Sequence, residues 1–274
     1  MRFVLSFTSL ASASFVVLLA MPSQVIAQSA EEIVSAGGCP ECRLPQADLR
    51  ELTLESADFS GARMIEADLK NASLQSADFT DASLHRAELE KADLTGATFS
   101  DAVMRSSDLE KAELAGADLS HTDLREADFA NAQITGASFE DADMRHALLR
   151  RMEGAGADFS RALMDRADLE RAVVPDGNFT RARLTGADLD RANMAGGTFT
   201  DADLSKAHLS STNLGGALFD GADFSDALLR RTRFPGADLS NADGLEQEQL
   251  DMACGDAETK LPRGMTIKTC GADE

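Results

Sequence analysis

The 274-residue chain has no tryptophan and no tyrosine, only four cysteines and six prolines, and 26 Lys and Arg against 47 Asp and Glu. The shortage of basic side chains leaves a formal net charge of −21, which excludes an electrostatic hold on nucleic acid or on an anionic lipid surface. After Ala20 no apolar run approaches the ~20 residues that a membrane-spanning helix needs. Low aromatic content with high charge is also the composition of disordered chains, but those lack regularly spaced apolar positions. This chain has them at a strict interval.

Arg2 precedes an apolar stretch from Phe3 to Ala20, followed by Pro22 and Val25-Ile26-Ala27. That order is a secretory signal peptide cleaved after Ala27. A membrane anchor fits less well, because Ser23-Gln24 interrupts the run, and no cysteine follows the cleavage site to take a lipid. The expected mature protein is soluble and secreted, in the periplasm or outside the cell.

From Leu44 onward one residue in five is large and apolar: Leu49, Leu54, Phe59, Met64, Leu69, and so on to Leu239. Two places before each stands a small residue, usually alanine, giving A-(D/N/S/T)-(L/F)-x-x. A period of five matches neither the 3.6 of a helix nor the 2 of a strand. Frequent Asp, Asn, Ser, Thr and Gly disfavour long helix as well. Self-similarity at a fixed period is the mark of a solenoid.

These tandem units resemble the pentapeptide-repeat family. The resemblance implies an all-β solenoid, a right-handed quadrilateral β-helix in which four units make one coil, with Leu/Phe and Ala inward. Columns repeating every twenty residues support that coil length independently. Phenylalanines recur from Phe59 through Phe79 and Phe99 to Phe219. Glycines recur from Gly96 through Gly116 to Gly236, at a corner where positive φ would select them. Pro175 and Pro235 share the column before that glycine. About ten coils, some 45–50 Å at the ~4.8 Å strand spacing, are expected. At Met152 and Gly154 the large and small residues trade places, a volume-conserving exchange within one coil.

The expected organisation is a signal peptide (1–27), an N-terminal cap (28–43), the β-helix (44–242) and a C-terminal helical cap and tail (243–274). Solenoid ends need covering. Ser29 with Glu32 forms a capping-box pattern for a short helix stopping near Gly37-Gly38. Asp243 with Glu246 suggests a second helix, through Met252. All four cysteines lie at the ends, Cys39 and Cys42 before the first coil and Cys254 and Cys270 after the last. Because bridged Cα atoms must lie within about 7 Å, only the pairs Cys39–Cys42 and Cys254–Cys270 are compatible with a rod. A redox-active C-x-x-C normally opens a helix, whereas Cys39-Pro40-Glu41-Cys42 follows one. Gly-Cys-Pro-Glu-Cys and the run from Thr259 to Gly264 also resemble the ends of secreted family members.

Nothing in the repeat points to catalysis, a cofactor or a metal site: His85, His121, His146 and His208 fall in four different columns. One face carries Asp48, Asp68, Glu88 and Asp108, with Lys91, Lys111, Arg151 and Arg171 three residues after column members, and should neutralise itself. The phenylalanine face differs. Asp58, Asp78, Asp118 and Asp158 form one column, and Asp81, Asp101 and Asp141 another, with Arg161 and Arg181 in opposition. That array serves either solubility or the binding of a basic protein partner. The expected function is a non-enzymatic scaffold or protein-interaction module, a monomer or weak homodimer, binding no nucleic acid. The alternative comes from cytoplasmic family members that mimic duplex DNA and bind DNA topoisomerases; the signal peptide weighs against it.

Overall fold

The computed structural model describes residues 29–271, so the signal segment 1–27 lies outside the described residues. Each five-residue unit makes one bend and one short extended step. Around Phe59, the Phe59 carbonyl accepts the N–H of Ala62 at 3.0 Å and closes a turn across Ser60 and Gly61. Asp58, in the extended step, is bridged in parallel to Asp78, twenty residues on. Bridges with this offset recur every five residues from Gly38↔Asp58 to Asp223↔Asp243. Four units therefore complete one coil, and four ladders form the faces of a parallel β-helix.

The backbone explains why each unit carries an acid or amide before its large residue. Four of the five N–H groups find carbonyls: Asp78 reaches back to Ala57 (2.9 Å), Phe59 forward to Asp78 (2.7 Å), Gly61 to Thr80 (2.8 Å), and Ala62 closes the turn. The fifth, that of Ser60, has no backbone acceptor and is taken by Oδ1 of Asp58 at 3.0 Å. The same bond joins Asp108 to the N–H of Glu110, Asp128 to that of Ala130 and Asn178 to that of Thr180. Asp and Asn make this short loop back to their own backbone readily. Much of the acidity is thus a consequence of turn chemistry.

Every fifth residue from Glu41 to Gly236 has a positive φ, between 54° and 72°. The glycine column therefore does not mark one special corner, since Arg, Lys, Asp, His and Ser take the same left-handed conformation elsewhere. Each turn is closed by its own hydrogen bond and gripped by the coils on either side, which imposes αL on residues that would avoid it at ~1–2 kcal/mol. A Cβ at Gly116, Gly136 or Gly156 would touch nothing within 4 Å, so neither space nor φ explains why glycine concentrates in that column.

The interior is filled with apolar side chains. Phe79 and Phe99 stack with centroids 4.8 Å apart, as do Phe179 and Phe199, and successive rings tilt by no more than 15° from Phe139 to Phe219. Leu119 interrupts this ladder. Met152 is fully buried at its small-residue place, and a Cβ on Gly154 would lie 2.5 Å from Cγ1 of Ile134, so the neighbouring coil fills that space. Where Thr122, Thr212 and Thr232 replace alanine, each buried hydroxyl donates to a carbonyl of the preceding coil (Phe99, Leu189 and Leu209, 2.7–2.9 Å).

The two ends differ. Helix α1 (Ala30–Ala36) starts at Ser29, whose Oγ accepts the Glu32 N–H while Glu32 accepts the Ser29 N–H, and stops at Gly37 with φ 73°. Its Ile33 is fully buried against the core. Gly38 then lies so close to Asp58 that a Cβ would be 2.3 Å from the Asp58 carbonyl oxygen. On the other three faces Arg43, Asp48 and Thr53 have no bridge toward the N-terminus among the described residues.

At the far end the helix is shorter than the sequence suggests: α2 spans Gln247–Asp251 and its N-cap is Glu246, not Asp243. Asp243 still belongs to the ladder, bridged to Asp223, and Gly244 turns the chain at φ 69° before a helix can begin. Gln249 seals the end, donating Nε2 to the carbonyls of Phe224 (3.0 Å) and Ala227 (2.9 Å). The chain then adds strand β1 (Cys254–Gly255), bridged to Arg233, and strand β2 (Lys268–Thr269), parallel to β1.

Candidate functional site: the acidic phenylalanine face

Stacked rings beneath this face hold its outward residues in flat rows about one coil apart. Asp58 and Asp78 are adjacent bridge partners, but Thr98 and Ser138 separate Asp78 from Asp118 and Asp118 from Asp158. Asp81 and Asp101 sit at left-handed corners with φ 58° and 61°. Asp58, Asp78, Asp81 and Asp101 are exposed, and among the described residues no cation lies within ion-pair distance of any of them.

The other three of the seven carboxylates have different surroundings. Arg161 binds Asp141 through Nη2 at 2.8 Å and holds its carboxyl below the usual range. Burial pushes Asp118 up, but hydrogen bonds from the Ser120 N–H (3.0 Å), the Ser120 hydroxyl and the Ser100 hydroxyl (2.9 Å) outweigh it and leave it below normal. Asp158 accepts the Ser160 N–H and the Asn178 amide, both at 2.9 Å. The Ser60 hydroxyl at 2.6 Å, with the Ser60 N–H, lowers Asp58. Of the seven, Asp141 has a basic side chain as its partner, while Asp118 and Asp158 are half-buried and held by hydrogen-bond donors.

Two features of this face escaped sequence reasoning. Glu41, in the segment assigned to the cap, stands in the same column as Asp81, with side-chain-less Gly61 between them. The result is a shallow surface dent of about 370 Å³ lined by Pro40, Glu41, Ser60, Gly61, Thr80 and Asp81. Ser60, Thr80, Ser100 and Ser120 also form a row of hydroxyls beside the acids; Ser100 and Ser120 touch at 3.0 Å. Both follow from reading the sequence at a spacing of twenty.

On the other faces some of the charges are paired. Lys91 and Lys111 contact Glu90 and Glu110 at 2.6 Å, rather than the column acids three residues earlier, because a corner side chain reaches its chain neighbour first. Asp168 pairs with Arg150 instead of Arg171. Asp108 is pushed up by burial, reinforced by Asp128, Glu90 and Glu110. On another face Arg105, Asp123, Arg125, Asp143 and Arg145 alternate in a continuous chain of contacts of 2.6–3.3 Å. His85 contacts the Arg105 carbonyl at 2.9 Å and His121 lies 4.0 Å from Asp141. Among the described residues no three His, Cys, Asp or Glu side chains gather to hold a metal ion, and no helix is long and apolar enough to cross a membrane. At the ends Cys39 is bonded to Cys42 and Cys254 to Cys270, with Cα atoms 5.6 and 4.8 Å apart.

One bend per five residues, an Asp or Asn closing it and a Leu or Phe behind it define a class of four-faced β-solenoids. The pentapeptide repeat region description matches residues 82–159, and the pentapeptide repeats (8 copies) description matches 41–71, 62–101, 178–216 and 207–243. The chain belongs to the pentapeptide-repeat family, whose members form right-handed quadrilateral β-helices. Among solved structures it is similar to HetL, a pentapeptide repeat protein involved in heterocyst differentiation regulation in the cyanobacterium Nostoc sp. strain PCC 7120. The identity is 29%, over 72% of this chain and 89% of that one, with a TM-score of 0.42. It is also similar to a pentapeptide repeat protein of the Arabidopsis thaliana thylakoid lumen (31% identity, 41% and 68% covered, TM-score 0.22). A third similarity is to trypsin-treated QnrB1, a plasmid-mediated fluoroquinolone resistance protein (16% identity, 79% and 92% covered, TM-score 0.38). No curated protein sequence matches the chain.

Proposed function

We propose that this protein is a non-enzymatic scaffold of the periplasm or the cell exterior, a rod of about ten coils with a short helix at each end. Its docking surface for a basic protein partner is the N-terminal half of the phenylalanine face. The observation that carries the reading is the set Asp58, Asp78, Asp81 and Asp101: exposed, backed by the stacked rings of Phe59, Phe79 and Phe99, and without a cation among the described residues. A filled apolar interior favours surface recognition over chemistry in a pocket. The export reading rests on the sequence from Arg2 to Ala27, and N-terminal sequencing of the native protein should find Gln28 first.

The backbone dictates the test variant. Asp78 accepts the Thr80 N–H at 2.9 Å, so it is changed to asparagine, which keeps that bond. Asp81 and Asp101 occupy corners at which Lys91 and Lys111 show lysine is accepted, so both become lysine. The variant Asp78→Asn/Asp81→Lys/Asp101→Lys should keep its circular dichroism and melting profile and lose capture of a basic envelope protein. Wild-type capture should weaken steeply with salt, since exposed charges are screened beyond ~8 Å at physiological ionic strength. Undiminished capture by the variant, with aggregation in its place, overturns the docking reading and leaves solubility as the purpose of the acids.

A further inference from the structure

The turn chemistry fixes where a carboxylate belongs in each unit: an Asp or Asn in the extended step accepts the N–H two residues on, as Asp58 does for Ser60. A residue that cannot accept leaves that donor open. In the units of Arg43, Val173 and Arg233 the donor position is proline (Pro45, Pro175 and Pro235), which has no N–H to satisfy. The unit of Arg63 has no such remedy, and the Ile65 N–H is without an acceptor among the described residues. Arg63 is also the bridge partner of Arg43, so two arginines stand directly opposite one another, ~4.8 Å apart along the rod. Like charges so placed cost stability. Both side chains are exposed, and among the described residues neither has an ion pair or a hydrogen bond. Glu41 and Gly61 lie to one side of the pair, Pro45 and Ile65 to the other, and Ser83 is bridged to Arg63 beyond it. Glu41 is the one acid among these neighbours, and neither arginine is paired with it. At Arg105, after Val103, and at Arg150, after Leu148, the open donor lies among paired charges instead, since their guanidinium groups bind Asp123 and Asp168.

We propose that Arg43, Arg63 and the Ile65 N–H form a binding site for a carboxylate, which takes the place that an Asp side chain fills in other units. The N–H supplies one donor held fixed by the turn. The two guanidinium groups supply fork-shaped, charge-assisted donors that match a planar oxyanion. A bound carboxylate also offsets the repulsion between the stacked arginines, which nothing in the chain offsets. The group belongs either to a small organic acid or to an Asp or Glu side chain of another protein. A net charge of −21 repels free anions at long range, so a single carboxylate binds weakly and the recognition comes from these short contacts. The site lies on the face that follows the phenylalanine face along the chain, and it uses none of the acids of the docking surface.

The test follows amide signals of the ¹⁵N-labelled mature chain by nuclear magnetic resonance at neutral pH. In one arm sodium chloride is exchanged for sodium acetate at constant ionic strength; in the other an acetylated and amidated tri-glutamate peptide is added at the same ionic strength. The expected result is a saturable shift of the Ile65 amide in both arms, with the open Arg105 amide unmoved. A peptide affinity more than about threefold above that of acetate, beyond the gain that three carboxylates give by number, identifies a protein side chain as the source; a smaller gain identifies a small acid. Arg43→Gln/Arg63→Gln should abolish the saturable shift. Arg63→Asp, which puts a carboxylate of the chain itself in the same place, should abolish it and raise the melting temperature. No shift at Ile65, a shift that stays linear, or one that persists unchanged in Arg43→Gln/Arg63→Gln overturns the proposal. So does an Arg63→Asp variant that melts lower than the parent. No acid of the docking face is altered in this test, so its outcome is independent of the docking reading.

Discussion

Oδ1 of Asp118 accepts the backbone N–H of Ser120 at 3.0 Å, the bond that recurs along the rod and satisfies the one backbone donor the ladders leave over. It assigns the carboxylate a structural task distinct from its charge. Asp118→Ala should therefore cost roughly 1–3 kcal/mol, since the Ser120 N–H and the Ser100 hydroxyl both lose their acceptor, while Asp118→Asn, which can still accept the Ser120 N–H, costs less. Equal losses for the two variants in urea melts would show that charge, not the turn, is what the rod uses here.

The opposite sign is expected at Asp108. Burial and the carboxylates of Asp128, Glu90 and Glu110 raise its pKa, so the folded state holds this proton more tightly than the unfolded chain. Such a group subtracts stability as pH rises from the unfolded value of ~3.9 through the higher folded value, and the penalty is complete at neutral pH. Asn can still accept the Glu110 N–H, found at 2.9 Å. Asp108→Asn should melt higher than the parent at pH 7, with the advantage shrinking toward pH 3; a variant less stable at pH 7 would contradict this account.

Phe139 stacks on Phe159 at 4.9 Å and meets Phe129 edge-on at 5.8 Å, with no exposed surface. Phe139→Ala should destabilise the rod by about 3–5 kcal/mol, and Ala137→Leu, four residues beyond exposed Gln133, should fail by overpacking. Thr135 is exposed and should tolerate alanine. Denaturant midpoints for the three variants check the assignment of inside and outside.

The two disulfides should contribute unequally. Cys254 and Cys270 are 16 residues apart in sequence, Cys39 and Cys42 only 3. A 15-residue loop is worth about 3 kcal/mol through the unfolded chain, and a shorter loop less. Paired serine substitutions at each site, compared by thermal unfolding, should show the larger loss at the C-terminal end. A larger loss at Cys39 and Cys42 would mean that the bond's role at α1 is to hold native contacts.

The sequence by itself determined the fold. A large apolar residue every fifth place can be buried on one side only if the chain bends once per unit, and columns at a spacing of twenty, such as Phe139, Phe159 and Phe179, set the length of the coil. It also located the acids of the phenylalanine face, the exchange between Met152 and Gly154 and the two cysteine pairs. Which of those acids remain without a cation was decided by tertiary structure, because Arg161 lies 20 residues from Asp141 in sequence and meets it only after a full turn of the rod. The same reason hid the left-handed turn at every corner, which residues like Arg151 and Asp101 adopt only when adjacent coils impose it, and the short α2, whose start waits until Asp243 leaves the ladder. Local pattern sets what each unit wants to bury; contacts one coil away set which polar groups are left to face a partner.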